Sequence, residues 1–364
     1  AGVTELLRNK VAIEGQPILV VGSIEADEGS TGALSSGAST GLSPERLVLG
    51  GLERPAVIAM VREQGVAGAV GAALGRRLAE DLGGMPGAVV EQIGDGIRGG
   101  LGEFTNLDFP VIAKQRYDIS AVEYVNQFFA VKATDKKYLK ELKKRADDNG
   151  VQNVLIMIDN EGAISSTDMK VRDQAVENHY KWVEAAKFLG CHAIRINLFG
   201  AEHVDDWISA SVDGLGKLTE FGAQHKIHVI VENHGGHSSH GARLAKVMKQ
   251  VNSSWVGTLP DFGNFCVARE NGEMWGAPCV EKYDLYRGVE ELMPYAKGVS
   301  AKTFHFDEEG NEPDIDFMRL FTIIKKSGWN NGYVGIEYEG DSLEPAEGIK
   351  KTKALLERVR AKLA

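Results

Sequence analysis

The first hundred residues contain no histidine, cysteine, phenylalanine, tyrosine or tryptophan, and their one lysine is Lys10. The rest of the chain is rich in lysine and holds all nine histidines. A shift of this kind indicates a domain boundary. We therefore expect a Gly/Ala/Ser-rich N-terminal region over residues 1–86 that carries no recognisable chemistry, followed by a second domain over residues 87–364.

An excess of basic residues is also missing, because 51 Asp and Glu outnumber 41 Lys and Arg and give a net charge of -10. A nucleic-acid partner is disfavoured, since neutralising phosphates requires a basic surface. No run of eighteen apolar residues is present, so no membrane span is expected. We expect a small-molecule substrate and a protein that is cytoplasmic, or periplasmic if a signal peptide was removed. The sequence is also compatible with a homo-oligomer.

Cysteines are few. The three, Cys191, Cys266 and Cys279, are odd in number and lie far apart in the sequence. This pattern suggests neither a disulfide framework nor a zinc cage. We expect three buried free thiols.

From residue 107 onward, the pattern alternates between short β-branched runs and longer amphipathic segments. Seven strands are predicted, at residues 121–126, 154–159, 193–198, 228–233, 256–261, 298–303 and 333–339. Helices are predicted near residues 107–117, 135–148, 168–189, 206–225, 241–251, 280–296, 314–327 and 345–363. Repeated strand–helix units indicate an α/β fold with a parallel sheet.

Seven strands are one short of a closed (β/α)₈ TIM barrel. An open sheet would leave an unpaired edge, so we favour closure, with the N-terminal extension supplying the first strand. Residues 87–93 are the best candidate for that strand, and residues 18–24 are the alternative.

The most informative stretch is residues 229–236, which read VIVENHGG. It predicts a buried strand whose carboxyl end opens into a site, with Glu232 and His234 on one face. A buried carboxylate requires a cation or a proton-transfer partner. The alternative interpretation is a strand-end glutamate that caps a neighbouring helix.

Other polar residues stand at the ends of the remaining strands, where barrel enzymes place their sites. These candidates are Glu123, Asp159, Arg195, Asn197, Asp261, Lys302, His305, Glu337 and Glu339. Carboxylates converging from three strands would repel one another unless a divalent cation lay among them. Oxygen ligands with one imidazole favour Mn²⁺, Mg²⁺ or Co²⁺ over a thiolate-bound Zn²⁺.

Residues 104–364 resemble the xylose isomerase-like TIM barrel superfamily of sugar phosphate isomerases and epimerases. The resemblance lies in VIVENHGG, in LPDFGN at residues 259–264 and in GYVGIEYE at residues 332–339. It implies that Glu232, Asp261 and Glu337 bind the metal. It also implies that Glu232 and Glu337 exchange protons with a metal-held enediolate, as acid and base.

One position departs from the family pattern. The family usually carries a histidine ligand inside the seventh strand, whereas this chain reads Ser300-Ala301-Lys302 there. We expect His305 to reach the metal from the following loop instead.

Further residues are expected to contact the substrate. Trp275 lies within residues 272–278, which interrupt a long loop, and is suited to cover a sugar face. His237 precedes a helix at the mouth of the barrel. The predicted substrate-binding residues are His234, Asn264, Lys302, Arg195, Asn197, Glu123, Trp275 and His237.

Three functions are compatible with these residues. The first is a metal-dependent isomerase or epimerase of an unphosphorylated sugar, because no basic or Gly-rich phosphate grip is present. The second is a metal-dependent lyase or dehydratase acting on a keto-sugar, keto-cyclitol or keto-glycoside, which Lys302 as an extra acid would favour. The third is a non-catalytic barrel whose metal site is eroded.

Overall fold

The structure, a computed structural model, describes residues 105–329 and 332–363, in which parallel strands alternate with helices except at one antiparallel hairpin. The strands are β1 (Ala121–Val125), β2 (Gln152–Met157), β3 (Ala193–Ile196), β4 (His228–Glu232), β5 (Val256–Leu259), β6 (Cys266–Arg269), β7 (Cys279–Lys282), β8 (Val299–Thr303) and β9 (Val334–Tyr338). The α-helices are α1 (Phe109–Tyr117), α2 (Lys136–Asp148), α3 (Met169–Leu189), α4 (Val204–His225), α5 (Gly241–Val251), α6 (Leu285–Leu292), α7 (Phe317–Lys326) and α8 (Pro345–Leu363).

The sheet follows the order of the sequence. Strands β1 to β5 pair in parallel in the order β1-β2-β3-β4-β5, and β8 pairs in parallel with β9. Two isolated parallel bridges, Thr258 with Ala296 and Asp261 with Ser300, join the two groups of strands. On the far side, Lys353 of α8 donates to the carbonyl of Tyr117 at 2.8 Å, so the last helix contacts the end of the first described one. The seven predicted strands of the α/β barrel are confirmed.

Side-chain alternation divides each strand between two environments. On β4, Val229 and Val231 pack outward in the main hydrophobic cluster, whereas Ile230 packs inward with Leu155 and Leu259. The next inward-facing side chain on β4 is that of Glu232, two residues beyond Ile230. The barrel interior is therefore apolar in one layer and becomes polar at the carboxyl ends of the strands.

Aspartates begin several of the helices. Asp135 accepts hydrogen bonds from the backbone N–H groups at the start of α2, and Asp168, Asp284 and Asp316 do the same for α3, α6 and α7. These caps satisfy N–H groups that have no partner within the helix. Each cap determines the residue at which its helix begins, and therefore the residue at which the loop before that helix ends.

The segment after β5 differs from the prediction. Residues 266–282 form an antiparallel hairpin of β6 and β7, and Cys266 and Cys279 form a disulfide across it. The expectation of three free thiols was wrong for these two cysteines and right for Cys191, which is buried and free. The bonded pair lies 13 positions apart in the sequence, and the hairpin brings the two cysteines together. The helix predicted from residue 280 begins at Leu285, because residues 279–282 belong to β7.

Two expectations fall on residues that the structure does not describe. The eighth strand at residues 87–93, or at 18–24, and the N-terminal region 1–86 lie outside the described residues. The boundary at residue 87 stays a prediction. No helix among the described residues is long and apolar enough to cross a membrane.

Candidate active site

Three carboxylates meet at the carboxyl ends of the barrel strands. Glu232 ends β4, Asp261 follows β5 and Glu337 lies in β9, and one oxygen from each lies within 4.8 Å of the others. Glu232 is 2 % exposed and Asp261 is fully buried. Three acidic groups this close in a low-dielectric environment repel one another unless positive charge lies among them.

Hydrogen bonds hold each of these carboxylates in a fixed orientation. Asp261 Oδ1 accepts from the backbone N–H groups of Gly263 and Asn264, at 2.8 and 2.9 Å. Glu232 Oε1 accepts from Asn264 Nδ2 at 3.0 Å. Ser300 Oγ donates to Glu337 Oε2 at 2.7 Å. Asp261 Oδ2, in contrast, is buried without a hydrogen-bond partner.

Arg195 supplies positive charge from β3. Its Nη1 donates to Asp159 Oδ1 at 2.8 Å, and its Nε lies 2.8 Å from Glu232 Oε2. Asn197 Nδ2 donates to the same Asp159 oxygen at 2.7 Å. Burial alone would raise the pKa of Asp159, but Arg195 and Asn197 outweigh it and lower that pKa. Asp159 is therefore an ionised anchor for Arg195.

His234 connects this network to the covering hairpin. Its Nδ1 lies 2.9 Å from Asn197 Oδ1, so this nitrogen carries the proton and donates. Burial, together with the charges of Arg195 and Lys302, lowers the pKa of His234 to about 4. The imidazole is therefore neutral at neutral pH, and its Nε2 makes no hydrogen bond with any described residue.

Trp275 covers His234 from the hairpin. The ring centroids lie 4.6 Å apart at an interplanar angle of 44°. Gly235 has a φ of 81°, and a Cβ there would lie 3.0 Å from Met274 Sδ and 3.1 Å from the Trp275 ring. The glycine is thus required both by its backbone conformation and by the close approach of the hairpin.

Lys302 is the second buried cation of the site. Its side chain is 1 % exposed, and Nζ lies 3.1 Å from Glu337 Oε1, 3.0 Å from Glu339 Oε1 and 3.8 Å from Asp261 Oδ2. Burial opposes the charge, but these carboxylates outweigh burial and raise the pKa of Lys302. The side chain is therefore a permanent ammonium group beside the three carboxylates.

The two glutamates expected to exchange protons differ in acidity. Burial raises the pKa of Glu232 to about 7, although Arg195 opposes the rise. Burial acts in the same direction on Glu337, but Lys302 and the Ser300 hydroxyl outweigh it and lower that pKa to about 2. One carboxyl can therefore hold a proton near neutral pH while the other stays ionised, which is the division of roles that acid–base catalysis needs.

Glu123 on β1 lies at the edge of the same group. Burial, to which Glu337 and Glu232 add their charges, raises the pKa of Glu123 to about 8. Its Oε1 is buried without a hydrogen-bond partner among the described residues. A Cβ at Gly335 of β9 would lie 2.8 Å from Glu123 Oε2, so this carboxyl packs against β9.

Two predicted site residues are not brought to the carboxylates. The His305 side chain is exposed in the loop after β8, and the carboxylate group does not include it. The ring nitrogens of His237 contact the Glu202 carbonyl at 2.8 Å and Arg243 Nη1 at 3.1 Å, so protein groups occupy both. The remaining predicted residues, Glu123, Arg195, Asn197, Glu232, His234, Asp261, Asn264, Trp275, Lys302 and Glu337, lie in the connected network described above.

The sequence interpretation missed two orienting residues. Ser300 lies two positions before Lys302 on β8, and alternation alone would have placed both side chains inside the barrel. Asn233 Oδ1 accepts from the Asp261 N–H at 2.8 Å, and its Nδ2 donates to the carbonyls of Asp261 and Asn264. No sequence signal predicted that cross-strand role for Asn233.

The residues present fit a divalent cation. Glu232, Asp261 and Glu337 offer hard oxygen ligands, and the unpartnered Asp261 Oδ2 is the kind of atom that a cation would satisfy. A fourth protein ligand is absent from this group among the described residues. Such an ion would be held by three carboxylates, with water or substrate completing its coordination.

Comparison with known proteins identifies the family. The model described as xylose isomerase-like TIM barrel matches residues 113–359, and this chain belongs to that family. This match confirms the family resemblance that the three motifs indicated, and with it the predicted barrel fold.

Solved structures give the same fold. L-ribulose 3-epimerase superposes with a TM-score of 0.55 at 17 % identity and covers 71 % of this chain and 91 % of its own. The IolI protein with a bound zinc atom superposes with a TM-score of 0.55 at 14 % identity and covers 71 % and 94 %.

One characterised relative matches over a short segment. The C-glycoside deglycosidase alpha subunit of Arthrobacter globiformis is 34 % identical over 74 residues, which are 19 % of this chain and 21 % of that protein. The match thus spans about a fifth of the relative's length. The names of two of these proteins describe an epimerase of a sugar and a subunit of an enzyme that acts on C-glycosides.

Proposed function

We propose that this protein is a divalent-metal-dependent isomerase or epimerase of an unphosphorylated sugar. The observation that carries the proposal is the convergence of Glu232, Asp261 and Glu337 within 4.8 Å. Their all-oxygen donor set favours Mn²⁺, Mg²⁺ or Co²⁺ over Zn²⁺. When bound, the ion would polarise the carbonyl group of a hydroxy-ketone or hydroxy-aldehyde.

Glu337 and Glu232 are proposed to move the proton. Lys302 and Ser300 keep Glu337 ionised, so that it can accept a proton from carbon near neutral pH. Glu232, whose carboxyl group burial makes a weaker acid than that of Glu337, is proposed to return a proton to carbon. Both must act on one substrate carbon or on two adjacent carbons, as epimerisation or aldose–ketose exchange requires.

The surrounding side chains are proposed to orient the sugar. The neutral His234 presents an unpartnered Nε2 to hydroxyl or carbonyl oxygens. The amide of Asn264 lies between Glu232 and Lys302, at 3.0 and 3.5 Å from them. The Trp275 ring stands over His234 and offers an apolar face to C–H groups of the sugar.

A second candidate is a lyase that eliminates across a keto-sugar or a keto-glycoside. The short match to the C-glycoside deglycosidase alpha subunit supports it. The buried Lys302 ammonium supports it too, because a fixed positive charge would stabilise the negative charge that develops on a departing oxygen or carbon. Both reactions begin with removal of a proton beside a carbonyl group.

Proton NMR in deuterated water separates the two. The purified protein, loaded with Mg²⁺ and assayed against a panel of free ketoses, aldoses and keto-glycosides, is expected to place solvent deuterium on carbon without losing water or aglycone. Release of water or aglycone would assign the lyase reaction instead. Protein stripped with EDTA and the Glu232→Gln variant serve as controls.

Metal analysis tests the remaining alternative of a non-catalytic barrel. We expect the purified protein to contain, or to bind, one divalent ion per chain. A protein that binds no ion and turns over no member of the panel would be a barrel without this chemistry.

A further inference from the structure

The candidate site already contains a cation, Lys302, beside two of the carboxylates that fit a metal ion. Lys302 Nζ contacts Glu337 Oε1 at 3.1 Å and lies 3.8 Å from Asp261 Oδ2. Both carboxylates belong to the group that fits a divalent ion. The ammonium and the ion would therefore draw on the negative charge of the same two side chains.

The neighbouring backbone makes room for this lysine. A Cβ at Gly263 would lie 2.7 Å from Lys302 Cδ and 2.9 Å from the Phe304 ring, so any larger residue there would displace the lysine stem. Ser300, two positions earlier on β8, is buried and donates to Glu337 Oε2 at 2.7 Å, so a small hydroxyl group stands there. The chain therefore favours an ammonium group here and offers no imidazole.

The ammonium satisfies the cluster only in part. Asp261 Oδ2 has no hydrogen-bond partner, and 3.8 Å from Nζ is longer than a hydrogen bond. Lys302 would keep two partners if it left Asp261 and Glu337. Its Nζ already lies 3.0 Å from Glu339 Oε1 and 3.5 Å from the Asn264 side-chain oxygen. Glu339 is half-exposed and outside the carboxylate group that fits the ion.

We infer that Lys302 is an internal counter-cation that neutralises the carboxylate cluster when no ion is bound and thereby weakens divalent-ion binding. Entry of the ion displaces the ammonium from Asp261 and Glu337 toward Glu339 and Asn264. Two cations beside the same carboxylates repel each other, so the lysine lowers the affinity of the ion. The inference rests on the proposed function, because it concerns the ion of that same site.

Removing the charge tests this directly. Lys302→Met protein, stripped with EDTA, is titrated with Mn²⁺ and with Mg²⁺ by calorimetry beside the wild type. The variant is expected to bind Mn²⁺ at least tenfold more tightly. Lys297→Met is the matched control, because Lys297 lies just before β8, at its other end, and its loss changes the net charge equally. It is expected to bind within twofold of the wild type.

The outcomes separate the inference from the proposed function. Equal or weaker binding by Lys302→Met would overturn the inference, since the lysine would then be neutral toward the ion or would help to organise its ligands. Loss of binding in every protein, wild type included, would overturn the proposed metal site together with the inference. Tighter binding by Lys302→Met with Lys297→Met unchanged supports both.

Two further measurements keep the inference testable if Lys302→Met folds poorly. Lys302→Arg retains the positive charge, and it is expected to keep the weak affinity of the wild type; a tenfold gain would count against a charge effect. In a crystal structure of the wild type with Mn²⁺ bound, Nζ is expected to have left Asp261 and Glu337. An ion bound beside an unmoved ammonium would overturn the displacement.

Discussion

Arg195 Nε on β3 lies 2.8 Å from Glu232 Oε2 on β4, and both side chains are almost completely buried. The register explains the contact, because Arg195 pairs with Ile230 and the next inward residue on β4 is Glu232. The same guanidinium donates to Asp159, so one cation serves two carboxylates. Desolvating three charges together is tolerated only because they compensate one another.

We therefore expect Arg195→Met to destabilise the protein severely. It leaves Glu232 and Asp159 without their cation, and breaking a buried pair of this kind costs about 3–5 kcal/mol. Urea unfolding followed by circular dichroism measures the loss. Arg287→Met is the control, since Arg287 forms an exposed, solvent-screened pair with Glu291 that contributes little to stability. Equal losses in the two variants would contradict the assignment of a buried charge network.

The acid–base assignment is tested by Glu232→Gln and by Glu337→Gln. Each change keeps the volume and removes the proton-transfer group, so turnover is expected to fall by about a thousandfold or more. The thermal unfolding midpoint checks that the fold survives. Glu357→Gln, at an exposed position on α8, is expected to keep full activity. Near-normal rates in either site variant on a true substrate would disprove the assignment.

Glu123 is expected to make stability depend on pH. Its pKa is about 8 in the folded protein, whereas it ionises near 4.5 when unfolded. Between these values the folded state keeps a proton that the unfolded state has released, so the contribution of Glu123 to stability is fully present below pH 4.5 and is lost as pH rises from 4.5 to 8.

Glu123→Gln cannot ionise and is expected to lose less stability over that range. In EDTA-treated protein the variant should exceed the wild type at pH 8 by about 2–4 kcal/mol and match it more closely at pH 5. Urea midpoints at the two pH values provide the measurement. A constant difference between the variant and the wild type at both pH values would show that the Glu123 carboxyl ionises normally.

The sequence was most informative where one physical rule acts alone. Alternation of side chains along β4 and β8 placed Glu232 and Lys302 inside the barrel, and the rule that strand ends form the site brought them together. The aspartate caps at Asp135 and Asp168 set the helix starts to within a residue or two. These features depend on local chain geometry, which a sequence pattern records.

Contacts across the chain were harder to predict. His305 is three residues beyond Lys302, yet the loop keeps it exposed, because a loop carries no periodicity that fixes the direction of a side chain. The disulfide between Cys266 and Cys279 depends on a hairpin whose register shifts at irregular pairings. Asn233 contacts the backbone of two other residues, and a single sequence holds no record of such a contact.

The covering hairpin gives a prediction for substrate binding. Trp275→Ala removes the ring that stands 4.6 Å from His234, so KM is expected to rise about three- to tenfold with kcat little changed. Trp275→Phe should recover part of the affinity, because it restores an aromatic face. Steady-state kinetics on the substrate identified by NMR provides the measurement. A fall in kcat with KM unchanged would place Trp275 in the chemical step instead.

The disulfide is expected to act through the same tryptophan. Cys266 and Cys279 join the two strands of the hairpin, and the loop between them carries Met274 and Trp275 against Gly235. Replacing both cysteines with serine frees that loop, so KM should rise as it does in Trp275→Ala. Because the two changes remove one contact, the triple variant should show a KM close to that of Trp275→Ala, with a coupling energy of about 1 kcal/mol. Additive effects would mean that the disulfide stabilises the fold without positioning Trp275.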